Sequence, residues 1–287
     1  MKCVDNNEIE NWFHELDCLE RADKCQAPHF IKPFHLATLA HRLRLRRLSG
    51  LTLPSKIAGY ANVMNLWGAL KIEPPAEINH RSPGGRYFPV TLLCDETTTE
   101  QTADDLVELF KPVCSDATTI DAVHTMLREL VGNCYAHAEV EDGVFGVICA
   151  QAWPAGRKAQ IAIADTGIGI RESLLQNPAL VETVKISNSC ELATQYGITS
   201  KPGKGHSGYG LAVARKLMEQ NSGTLVVRSG NEAFCMGPRR LQQVNTKCVW
   251  HGTLLVIEWD LDVPMNIRDV YDSFPLPEGM TDDDFDF

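Results

Sequence analysis

The sequence predicts an α+β fold in which helices lie on one face of a mixed, mainly antiparallel sheet, preceded by a small α/β domain. Apolar residues recur at helical spacing over 118–138 and again from about 208 to 221. Short apolar runs typical of strands alternate with turn residues between and after these helices. A chain of 287 residues has room for one large domain or two modest ones.

The first third of the chain is predicted to hold a helical segment over 1–28 and the small α/β domain over 29–94. In that domain FIKPFHLATLAHRLRLRRLSG has helical spacing and ends in Ser-Gly, LTLPS suggests a short strand, YANVMNLWGAL a second helix, and GGRYFPVTLLC a turn and a strand. The basic run at 41–47 alternates with leucine, so it fits a helix with a solvated face; a basic partner-binding surface is the alternative. The polar run at 94–105 predicts a linker.

The larger domain is predicted over 95–262. Its first element is the long helix over 118–138, which carries an apolar stripe. The strand-like runs GVFGVICAQAW and RKAQIAIAD follow, with a hairpin turn at Pro154-Ala155-Gly156 between them. The stretch 171–206 is predicted to be rich in loops.

A second helix is predicted from Gly208 to the stop signal at 221–223. TLVVRSG, EAFCMG and GTLLVIEWDL supply further strands, with a Ser-Gly-Asn turn at 229–231. Residues 263–287 are predicted to form a flexible acidic tail, because they combine turn residues and acids without periodicity.

Composition excludes several classes of function. A net charge of -10 with a pI near 5.4 argues against a nucleic-acid partner, since phosphate contacts need clustered Lys and Arg. The sequence lacks the roughly 20 consecutive apolar residues of a membrane span and a secretory leader, so we expect a cytoplasmic protein without a membrane partner. Ten cysteines without a C-x-x-C pair fit reduced thiols rather than a metal site.

The first motif that carries chemistry is Glu129-Leu-Val-Gly-Asn133. Residues four apart share one helical face, so both side chains can point at one ligand. A carboxylate and an amide oxygen suit a hard cation and a water molecule. Glu/Asn pairs at this spacing are also common on helix surfaces, so this motif indicates a ligand site only in combination with the other motifs.

The second motif is Ile161-Ala-Ile-Ala-Asp165-Thr-Gly167-Ile-Gly169. An apolar strand that ends in Asp165 places a carboxylate at the rim of the sheet, where it can accept a hydrogen bond from an exocyclic amine such as adenine N6. Glycines at alternate positions let the backbone approach a flat base. The alternative is an ordinary Asp-Thr-Gly turn that ends a strand.

The third motif, Gly203-Lys-Gly205-His-Ser-Gly208-Tyr-Gly210, runs directly into a helix and therefore predicts an anion-binding cradle. Lys201, Lys204 and His206 add positive or proton-donating character. Residues 203–208 also satisfy G-x-G-x-x-G, but the preceding YGITSKP is polar and no acid follows about 20 residues later, so a dinucleotide-binding fold is disfavoured.

The order E-x-x-x-N, D-x-G-x-G, G-x-G and Gly252-Thr253 resembles the ATPase domain shared by histidine kinases, gyrase, Hsp90 and MutL, known as the GHKL or Bergerat fold. The resemblance covers roughly residues 95–260. It implies helices on a mixed sheet, with ATP under a mobile lid at about 184–206.

The resemblance also implies roles for individual residues. Asn133 would hold Mg²⁺, and Glu129 would be the catalytic residue that polarises the attacking water or hydroxyl. Asp165 would bind the adenine amine, helped through water by Thr253. The other positions of the implied nucleotide-binding set are His137, Gly167, Gly169, Lys204, Gly208, Tyr209, Gly210 and Leu211. Among these, Gly167 and Gly169 would shape the base pocket, while Gly208 and Gly210 would wrap the phosphates.

The chain departs from a sensor histidine kinase. It lacks a transmembrane segment and a helical hairpin with a phosphoacceptor histidine before the domain, and His124 lies inside the first ATPase helix. Residues 29–93 instead look somewhat like a STAS-type domain. FIKPFHLATLA has no Asp-Ser pair, so this region would be a docking module rather than a phosphorylated antagonist.

Two classes of function fit these observations. The first is a bacterial regulatory protein that binds Mg-ATP and hydrolyses it slowly or transfers phosphate to a protein partner. A clamp ATPase that dimerises is disfavoured, because only about 27 residues follow position 260, too few for a transducer domain. The second class is a non-catalytic adaptor that signals its nucleotide state to a partner protein.

Overall fold

The computed structural model describes residues 2–22, 24–46, 53–74, 86–137, 142–202, 208–238 and 240–275. Within them, five strands form one sheet in the order β1-β2-β3-β5-β4, and every strand pair is antiparallel. The strands are β1 (Tyr87–Leu93), β2 (Gly146–Trp153), β3 (Lys158–Asp165), β4 (Thr224–Gly237) and β5 (Arg240–Asp260).

Helices cover both faces of this sheet. Those before β1 are α1 (Asn6–Ala22), α2 (Pro33–Arg46), α3 (Ser55–Val63) and α4 (Leu66–Leu70). Between β1 and β4 lie α5 (Thr99–Phe110), α6 (Ala117–His137), α7 (Ile170–Leu175), α8 (Val181–Ile186), α9 (Ser189–Leu192) and α10 (Gly210–Asn221), and α11 (Ile267–Asp272) follows β5. None of the helices in these described stretches has the length and apolar character needed to cross a bilayer.

The alternation of side chains along the strands builds two cores. In β3, Ile161 and Ile163 belong to the core that contains the apolar stripes of α5, α6 and α10. The intervening Ala162 and Ala164 belong to the core that contains α1 and α2. Small alanines on the second side let α2 lie against β2 and β3. The predicted α+β class, with helices packed on a largely antiparallel sheet, is confirmed; the sheet is not mixed, and the N-terminal helices occupy its second face.

Several local predictions agree with the structure. The predicted helix at 118–138 is α6, and its stripe residues Val123, Leu127 and Leu130 are all buried. The hairpin between β2 and β3 turns at Pro154–Gly156. Helix α10 ends next to Ser222, whose left-handed φ of 54° closes the predicted stop.

Other local predictions need correction. The polar run at 94–105 taken as a linker includes the first part of α5, whose Leu106 and Phe110 recur at helical spacing and are buried. The Ser-Gly-Asn stretch at 229–231 is not a turn, since β4 continues through it with an irregular register. For LTLPS, residues 51 and 52 lie outside the described part, Leu53 and Pro54 are not in a strand, and Ser55 begins α3.

The described part of the predicted small domain is continuous with the larger one. Its strand β1 pairs with β2, and α2 shares a core with the middle of the sheet. The STAS-like character of residues 29–93 stays a prediction.

The predicted flexible tail begins too early. Met265 and Val270 are each 1% exposed and bring α11 against α6 and α10. Asn266 exchanges two hydrogen bonds with the side chain of Gln220, at 3.0 and 3.1 Å. Residues 276–287 lie outside the described part.

Candidate functional site

A cavity opens between α6, the segment after β3 and the beginning of α10. Its volume is about 190 Å³, which is below the roughly 300–1,000 Å³ common for small-molecule sites. The residues predicted for the site that line this one cavity are Glu129, Asn133, His137, Asp165, Gly167, Gly169, Gly208, Tyr209, Gly210, Leu211 and Thr253. Lys204 lies outside the described residues.

At one end of the cavity, α6 and α10 approach closely at Gly210. A methyl group at this position would lie 2.9 Å from Nδ2 of Asn133 and 3.2 Å from Cβ of Glu129. A larger residue at Gly210 would require Asn133 and Glu129 to shift, so glycine favours the close approach of the first turn of α10 to the face of α6 that carries both polar side chains. The first and third motifs meet here.

The same end is suited to anions. Tyr209 accepts the first hydrogen bond of α10, from the N–H of Val213, so the preceding N–H groups of the first turn have no partner within the helix. These groups and the positive end of the helix dipole favour a negative ligand. Lys201, next to the lining residue Ser200, donates from Nζ to the carbonyl of Ala136 at the last turn of α6.

At the other side of the cavity, Asp165 ends β3 as a half-buried carboxylate. Its Oδ1 accepts hydrogen bonds from the backbone N–H of Gly167 at 2.9 Å and of Thr253 at 2.8 Å. Burial raises the pKa of this carboxyl to about 6, although both hydrogen bonds act in the opposite direction. The two N–H groups hold the side chain in place at the edge of the cavity.

The backbone at Gly252 allows this arrangement. Its φ is +82°, and a Cβ there would lie 2.2 Å from the carbonyl oxygen of Asp165. Any other residue would therefore push β5 away from β3 and remove the Thr253 N–H from the carboxylate. The Gly252-Thr253 pair is thus needed for the position of Asp165.

Ser229 is a supporting residue that the sequence did not reveal. It is 4% exposed, accepts a hydrogen bond from the N–H of Ile170 at 2.8 Å and donates one to the carbonyl of Gly252 at 2.8 Å. It therefore ties the glycine segment after β3 to β5. A serine within a strand-like run gives no signal of this role in the sequence.

Further lining residues have no motif and were also missed. Most are small or apolar side chains, which can enclose a flat base without competing for its hydrogen bonds. They are Leu130, Cys134, Ile170, Ser173, Leu174, Ala193, Ile198, Thr199, Ser200 and Leu255.

The predicted loop-rich stretch is partly wrong, while the lid stays a prediction. Residues 170–192 contain α7, α8 and α9, and Val184 and Cys190 are fully buried. Arg171 binds Glu232 through two hydrogen bonds of 2.6 and 2.9 Å and also donates to the carbonyls of Val184 and Ser187. This polar contact holds the first part of the predicted lid against β4, so any moving segment begins after it.

One cavity of this fold thus brings together a carboxylate at the end of a strand, the N-terminus of a helix, and a carboxylate and an amide on one helix face. Residues 118–255 match the family described as histidine kinase-, DNA gyrase B-, and HSP90-like ATPase. This match supports an ATPase domain of the GHKL type over residues 118–255, and ATP is the nucleotide that proteins of this family bind. No curated protein matches the chain.

Proposed function

We propose that the protein binds ATP with Mg²⁺ in this cavity and uses it in regulation, by slow hydrolysis or by phosphoryl transfer to a protein partner. The observation that carries the proposal is the meeting of Glu129 and Asn133 with Gly210 at one end of the cavity that Asp165 also lines. The cavity therefore offers a carboxylate for the base, the N-terminus of α10 for the triphosphate, and an amide oxygen for the cation.

Each residue has a stated task in this proposal. Asp165 accepts a hydrogen bond from the adenine amine, with Thr253 beside it. The first N–H groups of α10 bind phosphate oxygens. Glu129 accepts a proton from the attacking water or hydroxyl, while the apolar walls exclude other water.

The residues present fit a magnesium ion. The amide oxygen of Asn133 is the hard oxygen ligand that Mg²⁺ takes in protein sites, and phosphate oxygens complete such sites. When bound, the ion would neutralise charge on the transferred phosphate. The close approach of Gly210 to Asn133 supports a position of this amide beside the phosphates.

We also propose that the protein is cytoplasmic and that it acts on a protein partner. A second copy of the chain is one candidate for this partner. All ten cysteines are free in the structure, and a reducing compartment would keep them as thiols. The alternative is a non-catalytic adaptor, in which nucleotide binding changes the surface seen by a partner without turnover.

Glu129→Gln distinguishes the two functions. The amide keeps the size of the side chain but cannot accept the proton, so we expect ATP binding to persist and hydrolysis or transfer to fall by about 10²–10⁴-fold. Transfer of radiolabelled phosphate and release of inorganic phosphate measure this.

Glu182→Gln serves as the control, because Glu182 is exposed and pairs with Lys185. Equal turnover in Glu129→Gln and the control would remove Glu129 from the chemistry. Wild-type protein that binds ATP without turnover would favour the adaptor.

A further inference from the structure

A second cavity lies beside the sheet, between α1, the segment at 26–32 and the hairpin that joins β2 to β3. Its volume is about 870 Å³, within the roughly 300–1,000 Å³ common for small-molecule sites. Among the described strand residues, only Trp153 at the end of β2 lines it. Within the described chain the two cavities have no lining residue in common, so a ligand bound here would be separate from the proposed ATP.

Three aromatic side chains form apolar walls of this cavity. Phe30 approaches Trp153 to 5.7 Å between ring centroids and remains 43% exposed. Trp12 uses its indole N–H in a 2.8 Å hydrogen bond to Thr38, so it offers a ligand only the apolar part of its ring. Aromatic faces attract flat groups and cations. The walls therefore suit a flat or positively charged group.

The charged side chains that line the cavity leave one carboxylate without a cation. Asp5 pairs with Lys2 at 2.8 Å. Glu8 pairs with Lys32 at 3.0 Å. Glu15 forms no ion pair with another described residue and accepts one backbone hydrogen bond. Its charge is therefore available to a ligand cation.

His35 also lines the cavity and offers a buried donor. Its side chain belongs to a residue that is 1% exposed, and burial lowers its pKa to about 3, so the ring is neutral. Nδ1 accepts the backbone N–H of Lys32 at 3.0 Å, because the carbonyl of Lys32, 3.3 Å from Nδ1, already accepts the N–H of His35. Nε2 then carries the ring proton, and it has no hydrogen-bond partner among the described residues. Buried donors without a partner are rare, so this N–H calls for an acceptor.

We propose that this cavity binds a small guanidinium compound that also carries a carbonyl group, such as an arginine derivative. A guanidinium is planar and weakly hydrated, so it can stack on an aromatic ring while it pairs with Glu15. The carbonyl accepts the Nε2–H of His35. Trp12 brings the two contacts together, because it lies one helical turn before Glu15 on α1 and its ring is 5.0 Å from the ring of His35.

N-acetyl-L-arginine amide is the probe, and N-acetyl-L-citrulline amide is its matched control ligand, with a neutral urea of the same shape. In NMR titrations of the full chain, the arginine compound should shift the indole N–H signals of Trp12 and Trp153 and leave that of Trp259 unchanged. The citrulline compound should bind about tenfold more weakly, the effect of losing a charged hydrogen bond. Equal binding of both compounds, or no shift with either, would overturn the proposal.

The tripeptide N-acetyl-Ala-Arg-Ala-amide distinguishes a small molecule from a protein segment. Affinity equal to or below that of the single residue is expected for a small-molecule site. A gain of about tenfold for the tripeptide would assign the cavity to a partner protein and overturn the proposed ligand class.

Glu15→Gln tests the contact with the cation, because it keeps the size of the side chain and removes its charge. It should weaken binding of the arginine compound about tenfold and leave binding of the citrulline compound unchanged. Glu182→Gln is the control for the overall charge of the protein, since Glu182 is exposed and lies outside this cavity. Unchanged affinity in Glu15→Gln, or an equal loss in both variants, would contradict the pairing.

His35→Phe keeps a ring and removes the donor. Provided that thermal melting shows a folded protein, it should weaken binding of both compounds by the same factor, because both carry the carbonyl. Unchanged affinity in the folded variant would overturn the role of His35. ATP titration of the Glu15→Gln protein should match wild type, so failure of this site is distinguished from failure of the proposed ATP site.

Discussion

The two faces of the sheet use the same strands for different purposes. On the face covered by α1 and α2, Phe13 is fully buried and stacks on Trp250 at 4.8 Å between ring centroids. On the face covered by α6 and α10, the same strands end at the cavity that Asp165 and Thr253 line. One face is closed by side-chain packing, whereas the other leaves room for a ligand.

The charged side chains of the two faces have different hydrogen-bond partners. On the covered face, Lys32 pairs with Glu8 at 3.0 Å and Arg42 pairs with Glu20 at 3.3 Å. In the cavity, Asp165 is held by neutral N–H groups and its pKa is raised. A half-buried carboxylate with a raised pKa at the edge of a cavity is a candidate for ligand binding, whereas the paired charges stabilise packing between elements.

Phe13→Ala should have the largest effect on stability and little effect on the site. Loss of a fully buried phenylalanine typically costs about 3–5 kcal/mol in the free energy of unfolding. Denaturant unfolding measures this loss, and nucleotide titration of the folded variant should give a dissociation constant close to wild type. A large loss of affinity in the folded Phe13→Ala protein would show that the two faces are not independent.

Asp165→Asn, unlike Phe13→Ala, should increase the free energy of unfolding. The folded pKa near 6 exceeds the usual 3.8, so the folded state loses stability as pH rises from about 4 to 6 and the carboxyl ionises. The amide oxygen can still accept both N–H groups but carries no charge. We therefore expect the variant to gain at most about 3 kcal/mol over wild type above pH 6 and little at pH 4.

Thermal melting at a series of pH values checks this expectation. The gain of Asp165→Asn over wild type should grow between pH 4 and 6 and then level off. A constant difference at every pH would mean that the charge of Asp165 costs the folded protein nothing.

The sequence predicted the chemical part of the site because each motif depends on a particular residue type. Glu129 and Asn133 show helical spacing, and Asp165 ends an apolar strand, so both signals are local. Ser229 and Leu255 carry no such signal, because their roles depend on strands that pair across the sheet. An apolar stripe also does not say which face it covers, which is why α1 and α2 were not assigned to the second face.

The packing of the first part of the predicted lid gave no local signal either. Val184 and Cys190 pack into the core, and Arg171 holds the segment to β4. We therefore expect amide hydrogen exchange to be slow over 184–193 with or without nucleotide. Binding of a non-hydrolysable ATP analogue should slow amide exchange at 195–202. If exchange slows equally in both segments, the lid spans 184–206 as the sequence predicts.

The central claim is that ATP binds in the cavity with its base at Asp165, and calorimetric titration of Asp165→Ala with ATP tests it most directly. Loss of a hydrogen bond to a charged group costs about 1.5–3 kcal/mol, so affinity should fall by roughly tenfold or more. Asp262→Ala is the control. Asp262 is exposed and follows the end of β5, which pairs with Lys158 at the beginning of β3. Asp165 lies at the opposite end of β3, so this control is far from the cavity. Weaker binding by Asp165→Ala alone is the predicted result, and equal affinity of wild type, Asp165→Ala and Asp262→Ala would contradict the assignment of the site.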